Sequence, residues 1–154
     1  MCALRFSIGR GGPADLDALE RIEHACFDPS IAFSRRQLRG LLASPSVRVW
    51  VLRHGGHVAA DAITLRRAGP AGITGRIYSL AVLHEHRGKA FGKALLRACL
   101  EDLRSAGAKC ILLEVGVANA SAVRLYESFG FRKTGRMPDY YAPGEDAWKM
   151  RMDL

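Results

Sequence analysis

Along this chain, stretches of apolar–polar alternation give way repeatedly to stretches with apolar residues at helical spacing. The order of those stretches outlines a fold. LRFSI (residues 4–8) alternates and predicts a strand. After a loop at 9–13, residues 14–27 place Leu16, Leu19, Ile22 and Glu23 at helical spacing, with Asp15 positioned as an N-cap. Ser34 opens a second short helix, SRRQLRGLLAS. VRVWVLR (47–53) and HVAADAITLR (57–66) predict two strands joined by a tight turn at His54-Gly55-Gly56-His57. RAGPAGITG (67–75), rich in glycine, predicts a loop, and RIYSLAV (76–82) a further strand. The clearest helix spans 91–106, with Leu95, Leu96, Leu100 and Leu103 on one face and Lys93, Arg97 and Arg104 on the other. CILLEV (110–115) is almost unbroken apolar sequence, which predicts a strand buried on both faces. Residues 120–129 predict a last helix, stopped by Gly130. FRKTGR and AWKMRMDL predict two closing strands. The succession is one strand, two helices, three strands, then helix, strand, helix and two strands. It implies an α/β fold: a mixed, twisted sheet of about seven strands flanked by about four helices. No repeat or linker divides the chain, so residues 1–154 are expected to form a single domain.

Charge narrows the set of partners. The formal net charge of +8 and pI near 9.8 suit anions: nucleic acid, a nucleotide cofactor or a ribonucleoprotein. The arginines are spread along the chain rather than massed in one block. No run approaches the roughly 20 apolar residues that cross a bilayer, and MCALRFSIGRGG lacks the apolar core of a signal peptide. A cytoplasmic location, with no membrane partner, is the expectation. Cys2, Cys26, Cys99 and Cys110 include no CxxC pair, which argues against a zinc site and a disulfide framework. Cys99 and Cys110 lie in apolar runs and read as small core residues. His54, His57, His84 and His86 fall in turns, and no metal site is expected from them.

One stretch asks for a ligand. HRGKAFGKALL (86–96) sets two glycines and three basic residues ahead of the clearest helix. The first N–H groups of a helix lack partners, and the helix dipole places positive charge there. Phosphates bind at such sites. Gly88 and Gly92 allow close backbone approach, and Arg87, Lys89 and Lys93 supply charge. A solvated basic turn is the other reading of the same residues. The spacing matches neither a GxxxxGK[ST] loop nor a GxGxxG fingerprint.

RIYSLAV, HRGKAFGKALL and ILLEVGVANASAVRLYESFGF, in this order, resemble the core of the GNAT superfamily of acyl-CoA-dependent N-acyltransferases. The resemblance covers most of the chain from about Val47 onward. The turn Arg87-Gly88-Lys89-Ala90-Phe91-Gly92 is similar to the family's pyrophosphate loop, [RQ]xxGx[GA], which implies that it and Lys93 bind acetyl-CoA. Ala90 stands where glycine is common in the family. Because Ala tolerates helical φ/ψ, the turn survives this change if residue 90 is already helical. Within the superfamily the chain most resembles the ribosomal-protein alanine N-acetyltransferases, which carry a similar LEV…N…LYE run. By residue pattern alone, Glu114 is a strand-end charge and Tyr126 a core aromatic. The resemblance instead implies Glu114 as general base and Tyr126 as general acid. Asn119 matches the asparagine that opens the helix and contacts the cofactor, a role compatible with N-capping. Tyr140 and Tyr141, expected in the loop between the closing strands, match a paired tyrosine beside the peptide site. The chain departs from the family at Gly116, where an arginine is often found, and in FDPSIAFS.

The chemistry needs such groups. An amine must lose a proton to attack a thioester, and the leaving thiolate must gain one. Backbone N–H groups of Leu80, Ala81 and Val82 are placed to polarise the thioester carbonyl. No cysteine paired with a histidine is evident, which favours direct transfer. Three functions follow. The chain acetylates a peptide or protein N-terminal α-amino group, or it acetylates a small-molecule amine, or it is a non-catalytic basic nucleic-acid-binding module. The last lacks basic residues interleaved with aromatics, so no specific nucleic acid is expected.

Overall fold

The computed structural model describes residues 5–154. Cys2 and Leu4, part of the expected first strand, lie outside them. The described residues form β1 (Phe6–Arg10), α1 (Leu16–Cys26), α2 (Arg35–Ala43), β2 (Val47–His54), β3 (His57–Gly69), β4 (Gly72–Val82), α3 (Phe91–Ser105), β5 (Ala108–Gly116), α4 (Ala120–Ser128), β6 (Arg132–Ala142) and β7 (Glu145–Asp153). The order and type of elements are those predicted. The strands make one mixed sheet in the order β1-β2-β3-β4-β5-β7-β6, in which β4 and β5 run parallel and the other pairs described are antiparallel.

Several boundaries differ from the sequence reading. The first strand runs 6–10 rather than 4–8. A single 3-10 turn, Pro13–Asp15, precedes α1, so the helix starts later than expected. Asp15 occupies the N-cap position without capping α1. Its carboxylate turns back to accept from the Gly12 N–H at 2.9 Å and pairs with Arg53 at 2.7 Å. The expected loop 67–75 is mostly strand: β3 and β4 extend through it and leave only Pro70 and Ala71 as the turn. β5 is buried on both faces at Cys110 and Ile111, as expected, but opens on one face towards its C-terminal end. Ile111, Leu113 and Val115 are in the core, while Leu112 and Glu114 between them are half-buried.

The residues group into two compact units: the chain through Leu65 with Ser79–Asp102, and Arg66–Tyr78 with Leu103–Leu154. In the first, alternate residues of β2 and β3 face opposite ways. Val49, Val51 and Ile63 pack with Leu16, Leu19 and Leu38 of α1 and α2. Leu52, Ala60 and Ala62 pack with Phe91, Leu95 and Cys99 of α3. Ser34 caps α2 as predicted: its side chain accepts from the Gln37 N–H, and Gln37 reciprocates to the Ser34 N–H. In the second unit, β5 pairs with β4 on one side and β7 on the other, and the Tyr126 ring of α4 meets Phe131 edge-on at 5.7 Å.

Candidate functional site

In the first unit, β4 delivers Leu80, Ala81 and Val82 to a short 3-10 turn, His84–His86, and then to the basic turn ahead of α3. Two groups converge on the last carbonyl of the strand. Arg87 Nε donates to the Val82 oxygen at 3.2 Å, and Cys26 Sγ donates to the same oxygen at 3.5 Å. Arg87 therefore braces the strand end as well as bringing charge to the turn. Burial pushes the Cys26 thiol up, even against the lowering effect of Arg87, so it stays a thiol and a donor.

The turn is held by two left-handed backbone conformations, one on either side of Lys89. Gly88 has φ +80° and Ala90 has φ +61°. Ala90 is thus not helical, so the condition set for an unstrained alanine here is not met: it is the left-handed residue that starts α3, and its carbonyl accepts the Ala94 N–H at 3.1 Å. A left-handed alanine stores about 1–2 kcal/mol, and such strain gathers where a turn is tightly specified. The N–H groups of Phe91, Gly92 and Lys93 precede the first intrahelical donor, the Ala94 N–H, and are the donors that a helix start leaves without an intrahelical partner. The Phe91 side chain points inward, 2% exposed, against Phe6 and His54 at ring distances of 5.3 and 5.2 Å. Lys89 lies 6.0 Å from the Phe91 ring, and Lys93 is exposed.

In the second unit, β5 carries Glu114. Both of its oxygens accept from a single nitrogen of Arg76, Nη1 on β4, at 2.6 Å each. The sequence reading missed Arg76; its signal was the one charge in RIYSLAV. Tyr140 and Tyr141 are not in a loop. They belong to β6, which is irregular between Met137 and Ala142, with Asp139 at φ +54°. Their rings meet edge-on at 4.8 Å. The Tyr141 ring lies over Gly116, where an added Cβ would sit 3.7 Å from it. Burial raises both phenols, and the Glu114 charge adds to the effect; Tyr141 is pushed up to about 12. Both hydroxyls are therefore donors at neutral pH. Tyr126 is 7% exposed on α4, whose N-cap is Asn119, its side chain accepting from Ala122 N–H at 3.3 Å. Cys99, buried in α3, is pushed up to about 12 by desolvation first and Asp102 second, and offers no thiolate.

The architecture is a seven-stranded mixed α/β sheet whose fourth strand leads through a left-handed turn to the start of a helix, a position that suits an anion. The chain belongs to the Acetyltransferase (GNAT) family, whose model matches residues 16–131. An N-alpha-acetyltransferase of Sulfurisphaera tokodaii is 38% identical over 81 residues, 52% of this chain and 48% of that protein. An uncharacterised N-acetyltransferase of Methanocaldococcus jannaschii is 36% identical over 135 residues, covering 86% of this chain and 82% of that one. The crystal structure of the ribosomal-protein-S18-alanine N-acetyltransferase from Escherichia coli superposes with a TM-score of 0.85 at 25% identity, covering 97% and 94% of the two chains. This chain spans about half the length of the N-alpha-acetyltransferases it matches. No helix among the described residues is long and apolar enough to cross a membrane.

Proposed function

We propose that the protein, as a single GNAT domain over residues 1–154, transfers the acetyl group of acetyl-CoA to an amine, and that the acceptor is the N-terminal α-amino group of a peptide or protein. The observation that carries the acceptor assignment is the placing of Glu114 and the Tyr140–Tyr141 pair in one electrostatic neighbourhood, with both phenols held as donors. Glu114 accepts the amine proton, directly or through a water, and Tyr126 returns a proton to the leaving sulfur. Backbone N–H groups of Leu80, Ala81 and Val82 polarise the thioester carbonyl. Gly88, Ala90, Phe91 and Gly92 hold the pyrophosphate through backbone, with charge from Arg87, Lys89 and Lys93. Asn119 lines the cofactor from the start of α4.

An α-amine ionises near pH 7.7–8.0, against about 10.4 for lysine. A carboxylate base suits the easier proton. The reading is tested by offering a peptide with a free N-terminus and the same peptide N-blocked with an internal lysine. Faster acetylation of the free N-terminus is expected. Preference for the blocked peptide refutes the assignment, and preference for a free small amine over both reassigns the protein to small-molecule acetylation.

A further inference from the structure

We propose that Arg76 selects the acceptor: one edge of its guanidinium holds Glu114, and the other binds a carboxylate on the acceptor, so that the preferred N-termini carry an acidic second residue. The inference rests on the peptide-acceptor reading above. It begins from an asymmetry in the Arg76–Glu114 contact. An arginine usually grips a carboxylate with two nitrogens in parallel. Here Nη1 alone serves both oxygens of Glu114, and Nε and Nη2 make no hydrogen bond to any described residue. The Nε–Nη2 edge is the one whose two parallel N–H groups match a carboxylate. The Arg76 side chain is 30% exposed, so that edge is within reach of a ligand.

The surroundings favour a second anion. Residues paired across strands share a face, and so do residues two apart along one strand. Glu114 pairs with Lys149 of β7, and Arg76 pairs with Leu112, which in turn pairs with Arg151. Arg76, Tyr78, Glu114, Lys149 and Arg151 therefore lie on one face of the sheet. With Asp153, two residues beyond Arg151, and Arg132, which pairs with Arg151, the face bears four cations and two carboxylates. Arg151 is compensated by Asp153 at 2.9 Å. The Lys149 ammonium forms no ion pair with a described residue. Tyr78 and Tyr140, both exposed, and Tyr141 supply hydroxyl groups at the same place.

A protonated amine arriving at Glu114 meets the Arg76 charge as well. An acceptor that brings only the amine adds a third charge of the wrong sign to an arrangement already positive. An acceptor with a carboxylate one residue further on brings its own compensation. Arg76 can then bridge two carboxylates, with Glu114 still facing the amine. Acceptors with a lysine or arginine in the second position meet repulsion from Arg76 and Lys149.

The test uses the full chain, acetyl-CoA and three free-N-terminal peptides that differ only at the second residue: glutamate, glutamine or lysine. A charged hydrogen bond, screened at partial exposure, should give about a tenfold preference in kcat/KM for glutamate over its neutral isostere, carried mainly by KM. Lysine should rank last. Arg76→Met should bring the glutamate-to-glutamine ratio to about one, and Arg76→Lys, which keeps the charge and loses the fork, should leave a reduced preference. A general loss of activity moves all three peptides together and leaves the ratio alone, so the ratio isolates selection from support of Glu114. If Arg76→Met does not fold, Arg76→Lys and the wild-type ranking decide. Turnover of all three peptides at similar rates overturns the inference while the peptide-acceptor reading stands. Turnover of none of them, with small amines or internal lysines accepted, overturns both.

Discussion

Ala90 shows how one side chain records what a turn requires. Its φ of +61° is a conformation that glycine adopts freely and alanine resists. Ala90→Gly should therefore stabilise the protein by about 1 kcal/mol, or roughly 2–4 °C in melting temperature for a chain of this size. An unchanged or lower melting temperature would mean that alanine's restriction of the unfolded chain outweighs its strain. Tyr126→Phe keeps the ring against Phe131 and removes only the hydroxyl. It should lower kcat by about 10²–10⁴-fold with little effect on acetyl-CoA affinity; single-turnover kinetics separate the two. A third residue matters for pH. Asp61 is fully buried on β3, and neither of its oxygens has a hydrogen-bond partner. Burial, and then the Glu23 carboxylate, push it well above the usual carboxylate range. A raised carboxyl stabilises the fold below its unfolded value near 3.9, and that stability is lost as pH climbs towards its folded value. Asp61→Asn should therefore flatten the fall of stability between about pH 5 and neutrality, measured by urea unfolding at several pH values. An equally steep fall would show that Asp61 is not the group holding the extra proton. Glu114 and Tyr126 are proposed from a motif, whereas no motif points to Arg76 or Asp61: each is a lone charge inside an apolar strand, and only the register shows what it faces.

Elements were legible where a strong period met a defined stop. α3 has four leucines on one face, all buried, and basic residues on the other. α2 has its cap and capping box written in SRRQ. Ser34→Ala should cost about 1 kcal/mol, seen as a lower urea midpoint with an unchanged slope; no loss would mean that packing of Leu38 alone holds the helix. The hairpin at Gly55 and Gly56 has φ values of +61° and +81°, as its two glycines predicted. Two elements were misread. Glycine and proline in RAGPAGITG signalled a loop, but cross-strand pairing carried β3 and β4 through all but Pro70 and Ala71. Pro138 and Asp139 suggested a loop for Tyr140 and Tyr141, but β6 absorbs them as an irregularity and resumes pairing at Ala142 with Glu145. Local signals mark where a chain can turn; the neighbouring strand decides whether it does.

For the whole molecule, the order of seven strands and four helices followed from pattern, while the sheet order β5-β7-β6 did not. Nothing local says that the last strand inserts between the fifth and sixth. If the turn before α3 and the helix start hold a pyrophosphate, acetyl-CoA stabilises the folded chain by mass action. At one hundred times its dissociation constant the gain is about 2.7 kcal/mol, read as a rise in melting temperature. No shift at millimolar acetyl-CoA would remove the cofactor assignment. The net charge of +8 predicts that added salt weakens this effect.

The insertion of β7 leaves β6 as an outer rim of the sheet, with one row of backbone N–H and C=O groups facing outward. Such a rim invites strand addition from other chains, the first step towards fibrils. β6 carries the usual deterrents: Arg132, Lys133 and Arg136 along its length, Pro138 with no N–H to donate, and the left-handed Asp139 that interrupts its course. Lys133 and Arg136 lie over the Trp148 ring at 4.5 and 5.2 Å, covering the largest apolar group beside that rim. The same irregularity that brings Tyr140 and Tyr141 into the electrostatic neighbourhood of Glu114 thus also interrupts the edge along which copies of the strand would add.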